Sequence, residues 1–221
     1  MTQSDIPKEA FYDRKYYESH YGHLLNRPGI LLGEYYKRNV FDAWAKSAKD
    51  ILDFGAGHGA LTATVNADCH DLSTYALDKL RTAGRKVVAD TRDLPDGSYD
   101  IVFSSHTLEH CKKPLEIVTE MRRLLKSTGR VILILPIETM PGKPRYTLDN
   151  DCHLYAWNFQ NITNLLITSG FEIQYQSVFF APFMLRTLGT LLNSESAVIW
   201  STWFSRLRRQ YPASLTVAAL E

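Results

Sequence analysis

Ile51-Leu52-Asp53-Phe54-Gly55-Ala56-Gly57-His58-Gly59 is the stretch that decides the fold. A short strand, residues 50–54, runs into glycines at alternate positions. Glycine takes φ > 0 at no steric cost, so the backbone can turn sharply there and come close to a ligand. The same spacing also suits a bare strand-to-helix turn, so the glycines alone do not name a ligand. Asp71 lies 71 − 53 = 18 residues beyond Asp53. An acid about 20 residues on, at the end of the next strand, is placed to accept hydrogen bonds from ribose hydroxyls.

Working outward from this turn, strands and helices alternate. Strands are expected over residues 67–71, 86–89, 99–104 and 131–135, and a helix over 75–83. Pro114 opens a helix over 114–126, with Leu115, Val118, Met121 and Leu125 on one side and Gly129 ending it. The run 131–135 is apolar throughout, as befits a strand covered on both faces. Beyond it come a helix over 161–169, strands over 171–179 and 215–220, and between them a helical excursion over 182–211. Upstream, residues 33–46 read as a helix with Tyr36, Val40, Phe41 and Trp44 on one face. The pattern predicts an α/β fold: a doubly wound, mostly parallel seven-stranded sheet with helices on both faces, in a single domain. Residues 1–48 form an N-terminal aromatic helical cap, and 49–221 form the core.

Composition bounds the function. The 221 residues suffice for one α/β domain. A net charge of +1 offers no global attraction to nucleic acid. Cys69, Cys111 and Cys152 are widely spaced and odd in number, which argues against a disulfide framework and for a cytoplasmic location. Residues 1–8 are polar and carry no apolar leader. The most apolar tract, 178–192, is interrupted by Pro182, Arg186 and Gly189, which argues against a membrane span.

From Lys49 to Phe179 the chain resembles class I S-adenosylmethionine-dependent methyltransferases. Asp53-Phe54-Gly55-Ala56-Gly57-His58-Gly59 is similar to that family's first motif. A nicotinamide-binding reductase would show GxGxxG and a Tyr-x-x-x-Lys pair near strand five, and neither is present. Asp71-Leu72-Ser73 resembles the ribose-binding strand end, and Asp90-Thr91-Arg92-Asp93-Leu94-Pro95 the adenine-side segment. Residues 99–110 resemble the fourth-strand signature. Leu125-Lys126-Ser127-Thr128-Gly129-Arg130 resembles the turn before strand five, with Ser127 and Thr128 in place of proline and glycine. The segment between the first two strands is shorter than the family's, which implies a truncated first crossover helix.

The resemblance implies that S-adenosylmethionine binds here and leaves as S-adenosylhomocysteine. It places Gly55 and Gly57 beside the methionine part, with Asp53 orienting the loop or the amino group. Asp71, followed by Leu72, would hold the ribose; Asp90 and Thr91 would flank the adenine; Ser104 or Ser105 would lie beside the methionine. Tyr17, in the aromatic run with Tyr12, Tyr16, His20 and Tyr21, would close over the cofactor as a lid or else pack on the sheet edge.

His106 and His110 are the candidate catalytic bases, since histidine titrates near neutral pH. The reading takes no resident metal. The alternative gives His106, Glu109, His110 and His153 to a divalent cation, as in methyltransferases that act on RNA 3′ ends or quinol precursors; His106 stands where those have an acid.

The acceptor is expected to be a small or hydrophobic, lipid-linked metabolite, methylated on oxygen, nitrogen or carbon. Residues 182–211 would shape its pocket, or make a peripheral membrane or dimer contact. The competing readings are a non-catalytic adenosyl-binding protein and an RNA methyltransferase.

Overall fold

The computed structural model describes residues 14–21, 27–137, 152–209 and 212–221. Its strands are β1 (Ile51–Phe54), β2 (Asp68–His70), β3 (Val87–Val88), β4 (Tyr99–Ser105), β5 (Leu125–Pro136), β6 (Phe171–Phe180) and β7 (Pro212–Leu220). They form a seven-stranded sheet in the order β3-β2-β1-β4-β5-β7-β6. β1, β2 and β3 pair in parallel, as do β4 and β5, while β7 runs antiparallel to both β5 and β6. The helices are α1 (Arg14–Tyr21), α2 (Arg27–Tyr36), α3 (Thr74–Thr82), α4 (Pro114–Leu124), α5 (Phe159–Thr168), α6 (Leu185–Leu191) and α7 (Ser194–Arg208). The chain divides into two compact units, one of residues 1–47, 52–93 and 182–204, the other of 48–51, 94–181 and 205–221.

Every residue of β1 is buried, and Leu52–Phe54 belong to the first unit. α3 buries Ala76, Leu77 and Leu80, and Leu77 and Leu80 pack with Cys69 of β2. Ser73 caps α3, its hydroxyl accepting from the Ala76 amide at 3.3 Å. The first crossover contains no helix at all: residues 55–67 run as turns. α2 lies against them. A Cβ at Gly33 would stand 3.1 Å from both the Ala60 carbonyl oxygen and the Ala63 Cβ, so only glycine lets the two backbones come this close.

The helix expected over 33–46 is interrupted. After α2 the chain makes a π turn, Lys37–Phe41, and a short helical turn, Asp42–Trp44. The Asn39 side chain donates to the Tyr35 carbonyl at 2.9 Å inside this bulge. The wider turn shifts the apolar register, so Ala45 is buried and Trp44 only half-buried. The excursion after residue 181 is two helices, α6 and α7, separated where Asn193 accepts from the Ser196 amide at 2.8 Å. Tyr211 lies outside the described residues.

In the second unit Val131–Leu135 of β5 are wholly buried, as are Val102 and Phe103 of β4. α4 buries Val118, Met121 and Leu124, one turn apart, and Pro lies in its first turn. Leu115, expected on that side, is half exposed. The helix ends at Leu124 rather than at residue 126. Leu125 fits the helical period but takes extended backbone and pairs with Tyr99, so Gly129 lies within β5 instead of ending a helix. Lys126, now on the strand, donates to Asp50 at 2.6 Å and Asp100 at 2.8 Å. Lys126, with the Asp50 and Lys49 amides, holds the Asp100 carboxyl down at about 2. β7 begins at Pro212, earlier than residue 215, because Ala213 and Ser214 pair with both β5 and β6 although they lack strand-like side chains. Among the described residues no helix is long and apolar enough to cross a membrane.

Candidate functional site

The first unit assembles the glycine turn around one carboxylate. β1 and β2 are in register with Phe54 opposite His70, and the Gly55 and Ala56 amides both donate to the His70 carbonyl at 2.8 and 2.9 Å. This folds the turn back over the end of β2, where Asp71 follows. Asp71 Oδ2 accepts from the Gly57 amide at 2.8 Å, and Oδ1 accepts from the Ser73 amide at 2.8 Å and the Tyr17 hydroxyl at 3.1 Å. A carboxylate oxygen takes about two hydrogen bonds. Among the described residues Oδ1 is therefore filled, with the Tyr17 hydroxyl as its one side-chain donor, and Oδ2 keeps one acceptor position.

Tyr17 is 5% exposed and also stacks on His58, with ring centroids 4.9 Å apart. Tyr75 stands 6.1 Å from both rings. Both His58 ring nitrogens are buried without a hydrogen-bond partner, and burial holds the imidazole below its ordinary pKa. Orphaned polar atoms beside a glycine turn and a spare carboxylate lone pair fit an adenosyl ligand, whose ribose and amino groups would supply the missing partners. Tyr12 lies outside the described residues, as do the side chains of His20 and Tyr21.

The other predicted cofactor residues divide. Asp53 is buried, and its Oδ2 accepts from the Thr62 hydroxyl at 2.6 Å, so it braces the turn. Burial pushes it up to about 6, against the pull of Thr62 and Arg85. The folded chain thus holds this proton more tightly than the unfolded chain, whose carboxyl titrates near about 3.9. The stability this proton contributes is present at acidic pH and is lost as pH rises through about 6. Asp53→Asn keeps an oxygen for Thr62 and removes that slope. From about pH 4 to about pH 7 it is expected to gain on the order of 2 kcal/mol over the wild type. Urea denaturation at the two pH values checks this, and a constant difference between the chains would contradict it.

Asp90 is tied to Arg92, which donates from Nε at 2.9 and 3.0 Å and from its backbone amide at 2.9 Å. Arg92 holds the Asp90 carboxyl down at about 2. Adenine contact by Asp90 therefore requires Arg92 to share it. Thr91 is buried, whereas Leu72 is 57% exposed just past β2. Burial pushes the Cys69 thiol up to about 12, which disfavours its thiolate.

The second unit presents the exit of β4. Ser104 and Ser105 are buried there, and the Ser105 hydroxyl has no hydrogen-bond partner. His106 follows at φ 52, its amide donating to the Ile134 carbonyl at 2.9 Å. A non-glycine residue in the left-handed region is uncommon and marks a backbone held for a purpose. Its ring is half exposed, with Nδ1 3.3 Å from Glu109 Oε1. Leu108–His110 is a single 3-10 turn, so His106 precedes the helical residues rather than sharing a helix face with them. Glu109 is wholly buried. His110 is mostly buried, which lowers its pKa, and its ring centroid is 4.9 Å from that of His153.

A family profile for a methyltransferase domain matches residues 52–133, the segment that holds both the glycine turn and the exit of β4. The chain is 26% identical over 193 residues to a probable S-adenosylmethionine-dependent methyltransferase of Mycobacterium tuberculosis, covering 79% of this chain and 70% of that one. Over residues 52–133 the chain is similar to methyltransferase domains, and its relatives include S-adenosylmethionine-dependent methyltransferases. A malonyl-[acyl-carrier protein] O-methyltransferase of Marinomonas is 31% identical over 125 residues. The match takes in 48% of this chain and about half, 46%, of the relative's own length. The Burkholderia thailandensis 1,6-didemethyltoxoflavin N1-methyltransferase, solved with its substrate and S-adenosylhomocysteine, has the same fold. It superposes with a TM-score of 0.57 at 14% identity, over 93% of this chain and 84% of that one.

S-adenosylmethionine is the cofactor to which these similarities point. Tyr17, Gly55, Gly57 and Asp71, all predicted from sequence, come together in the first unit. Sequence reasoning missed His58, although it sits inside the quoted turn, and Tyr75. The signal for His58 was its position between two glycines. None marked Tyr75, whose ring reaches the turn only because Ser73 starts α3 directly after Asp71.

Proposed function

We propose that this chain carries a methyl group from S-adenosylmethionine to a small or lipid-linked metabolite. The observation that carries the reading is the Gly57 amide clamped to Asp71 at the end of β2. Bound S-adenosylmethionine supplies a methyl already activated on a sulfonium, so the chain has mainly to align the nucleophile and exclude water. Asp71 would accept from the ribose through the spare position on Oδ2 or in place of the Tyr17 hydroxyl. His106, half exposed at the exit of β4, would take the proton of an oxygen or nitrogen acceptor.

A lipid-linked acceptor is supported by the outer face of α7. Trp200, Trp203 and Leu207 follow one another at helical spacing and are each about half exposed or more, with Arg206, Arg208 and Arg209 at the C-terminal end. Aromatic rings beside cationic side chains suit an anionic lipid surface. The wild type should co-sediment with anionic vesicles and a Trp200→Ser/Trp203→Ser variant should not; equal co-sedimentation, or none, removes this contact.

The test of function is S-adenosylhomocysteine release during a screen of carboxylates, phenols, amines, thiols, quinols and lipid-linked sugars. Acceptor-dependent release that falls in His106→Ala, with cofactor affinity unchanged, supports the reading. Cofactor binding without transfer to any acceptor would favour a non-catalytic adenosyl-binding protein, and transfer to RNA alone would favour an RNA methyltransferase. Either result overturns the proposal.

A further inference from the structure

We propose that Glu109, His110 and His153 form a binding site for one divalent first-row transition-metal ion. The backbone brings them together. The 3-10 turn Leu108–His110 presents Glu109 and His110 in succession. The amides of Leu154 and Tyr155 donate to the Glu109 carbonyl at 2.7 and 3.3 Å, and the Tyr155 hydroxyl donates to the Lys112 carbonyl at 3.1 Å. These bonds fix His153 over the turn, and one ligand atom from each of the three side chains lies within 4.8 Å of the other two. Among the described residues, His106 is not part of this group.

Glu109 is the anomaly the site explains. Its side chain is wholly buried, and neither carboxylate oxygen has a hydrogen-bond partner. A charge removed from water without donors is strongly disfavoured, and cores keep one only when it is paired or holds a metal. Among the described residues the candidates for pairing are imidazoles. His106 Nδ1 is 3.3 Å and His110 Nε2 4.0 Å from the same oxygen, Oε1. A proton on either ring would leave Oε2 unanswered, whereas an ion between the three side chains would meet the carboxylate.

The donor set selects the ion. Imidazole nitrogens favour zinc, iron, nickel and copper, while magnesium and calcium prefer all-oxygen shells. Metal–ligand bonds of about 2.0–2.2 Å put neighbouring ligands of a tetrahedral ion about 3.4 Å apart. The three ligand atoms, now within 4.8 Å of one another, would draw together around the ion. Three protein ligands leave an open position for water or an oxygen of the acceptor. The site stands on the geometry of the second unit alone and does not depend on the methyl-transfer reading.

The test uses the full chain, stripped with a chelator and titrated with Co²⁺ and Zn²⁺. Visible d–d bands should saturate at one Co²⁺ per chain, and Zn²⁺ should displace it. Glu109→Gln and His153→Ala should each weaken Co²⁺ binding at least about tenfold. His153 lies in a partly exposed segment, so its variant decides the question even if the Glu109 variant does not fold. Zn²⁺ should also raise the Tm of the wild type but not of His153→Ala. Absence of saturable Co²⁺ binding, or equal affinity in wild type and His153→Ala, overturns the site. Cofactor calorimetry on the same samples separates the two claims, since cofactor binding without metal sinks only the metal site.

Discussion

Gly57→Val is expected to lower S-adenosylmethionine affinity at least about 100-fold, or about 2.7 kcal/mol, in calorimetry. Gly57 has φ +53, where a β-branched residue is a genuine outlier. Holding valine there costs on the order of 1–3 kcal/mol. The backbone escapes that strain by rotating, which pulls the Gly57 amide from Asp71 Oδ2, now 2.8 Å away. The added methyls also grow from a Cβ that would already stand 3.5 Å from the Tyr17 ring. Gly57→Ala separates the two effects. Its Cβ makes only ordinary contact, so the backbone penalty remains without the crowding, and its loss should be several-fold only. Unchanged affinity in the valine variant would mean that the turn does not hold the cofactor.

The second large effect is at Asp71. Asp71→Ala should weaken the cofactor by about 10–100-fold, the worth of one or two charged hydrogen bonds to the ribose. It should also lower Tm, because the Gly57 and Ser73 amides lose their acceptor together. Each buried donor left without a partner costs about 1–3 kcal/mol. Tyr17→Phe is the matching control, since it removes only the hydroxyl on Oδ1. If the ribose competes with that hydroxyl, the phenylalanine variant should bind the cofactor as tightly as the wild type or more tightly. A loss as large as that of Asp71→Ala would mean that the Tyr17 hydroxyl is itself a cofactor ligand.

Much of the sheet was legible because its strands carry their own signals. Residues 131–135 are apolar without interruption and 51–54 are broken only by Asp53, and both lie where expected. The failures occurred where tertiary pairing overrode a local pattern. Leu125 continued the period of α4, yet its bond partner across the sheet is Tyr99. Ala213 and Ser214 look like loop residues but are sandwiched between two strands. The π turn at Lys37–Phe41 cannot be read from a 3.6-residue period, because it breaks that period. At the site, Asp71 and Gly57 were legible as a motif. The closure of Tyr17 on Asp71 was legible only as aromatic content, since their hydrogen bond joins residues 54 positions apart. Asp90 shows the opposite limit: its place after β3 was readable, and its capture by Arg92 was not.

The central claim is that the turn at Gly55–Gly59 and the Asp71 carboxylate hold the adenosyl group. A crystal of the full chain grown with S-adenosylhomocysteine tests it most directly. The account predicts ribose hydroxyls within hydrogen-bond distance of Asp71 and the methionine part against Gly55 and Gly57. Ligand density elsewhere, with the Tyr17–Asp71 and Gly57–Asp71 bonds intact and nothing beside them, would contradict it.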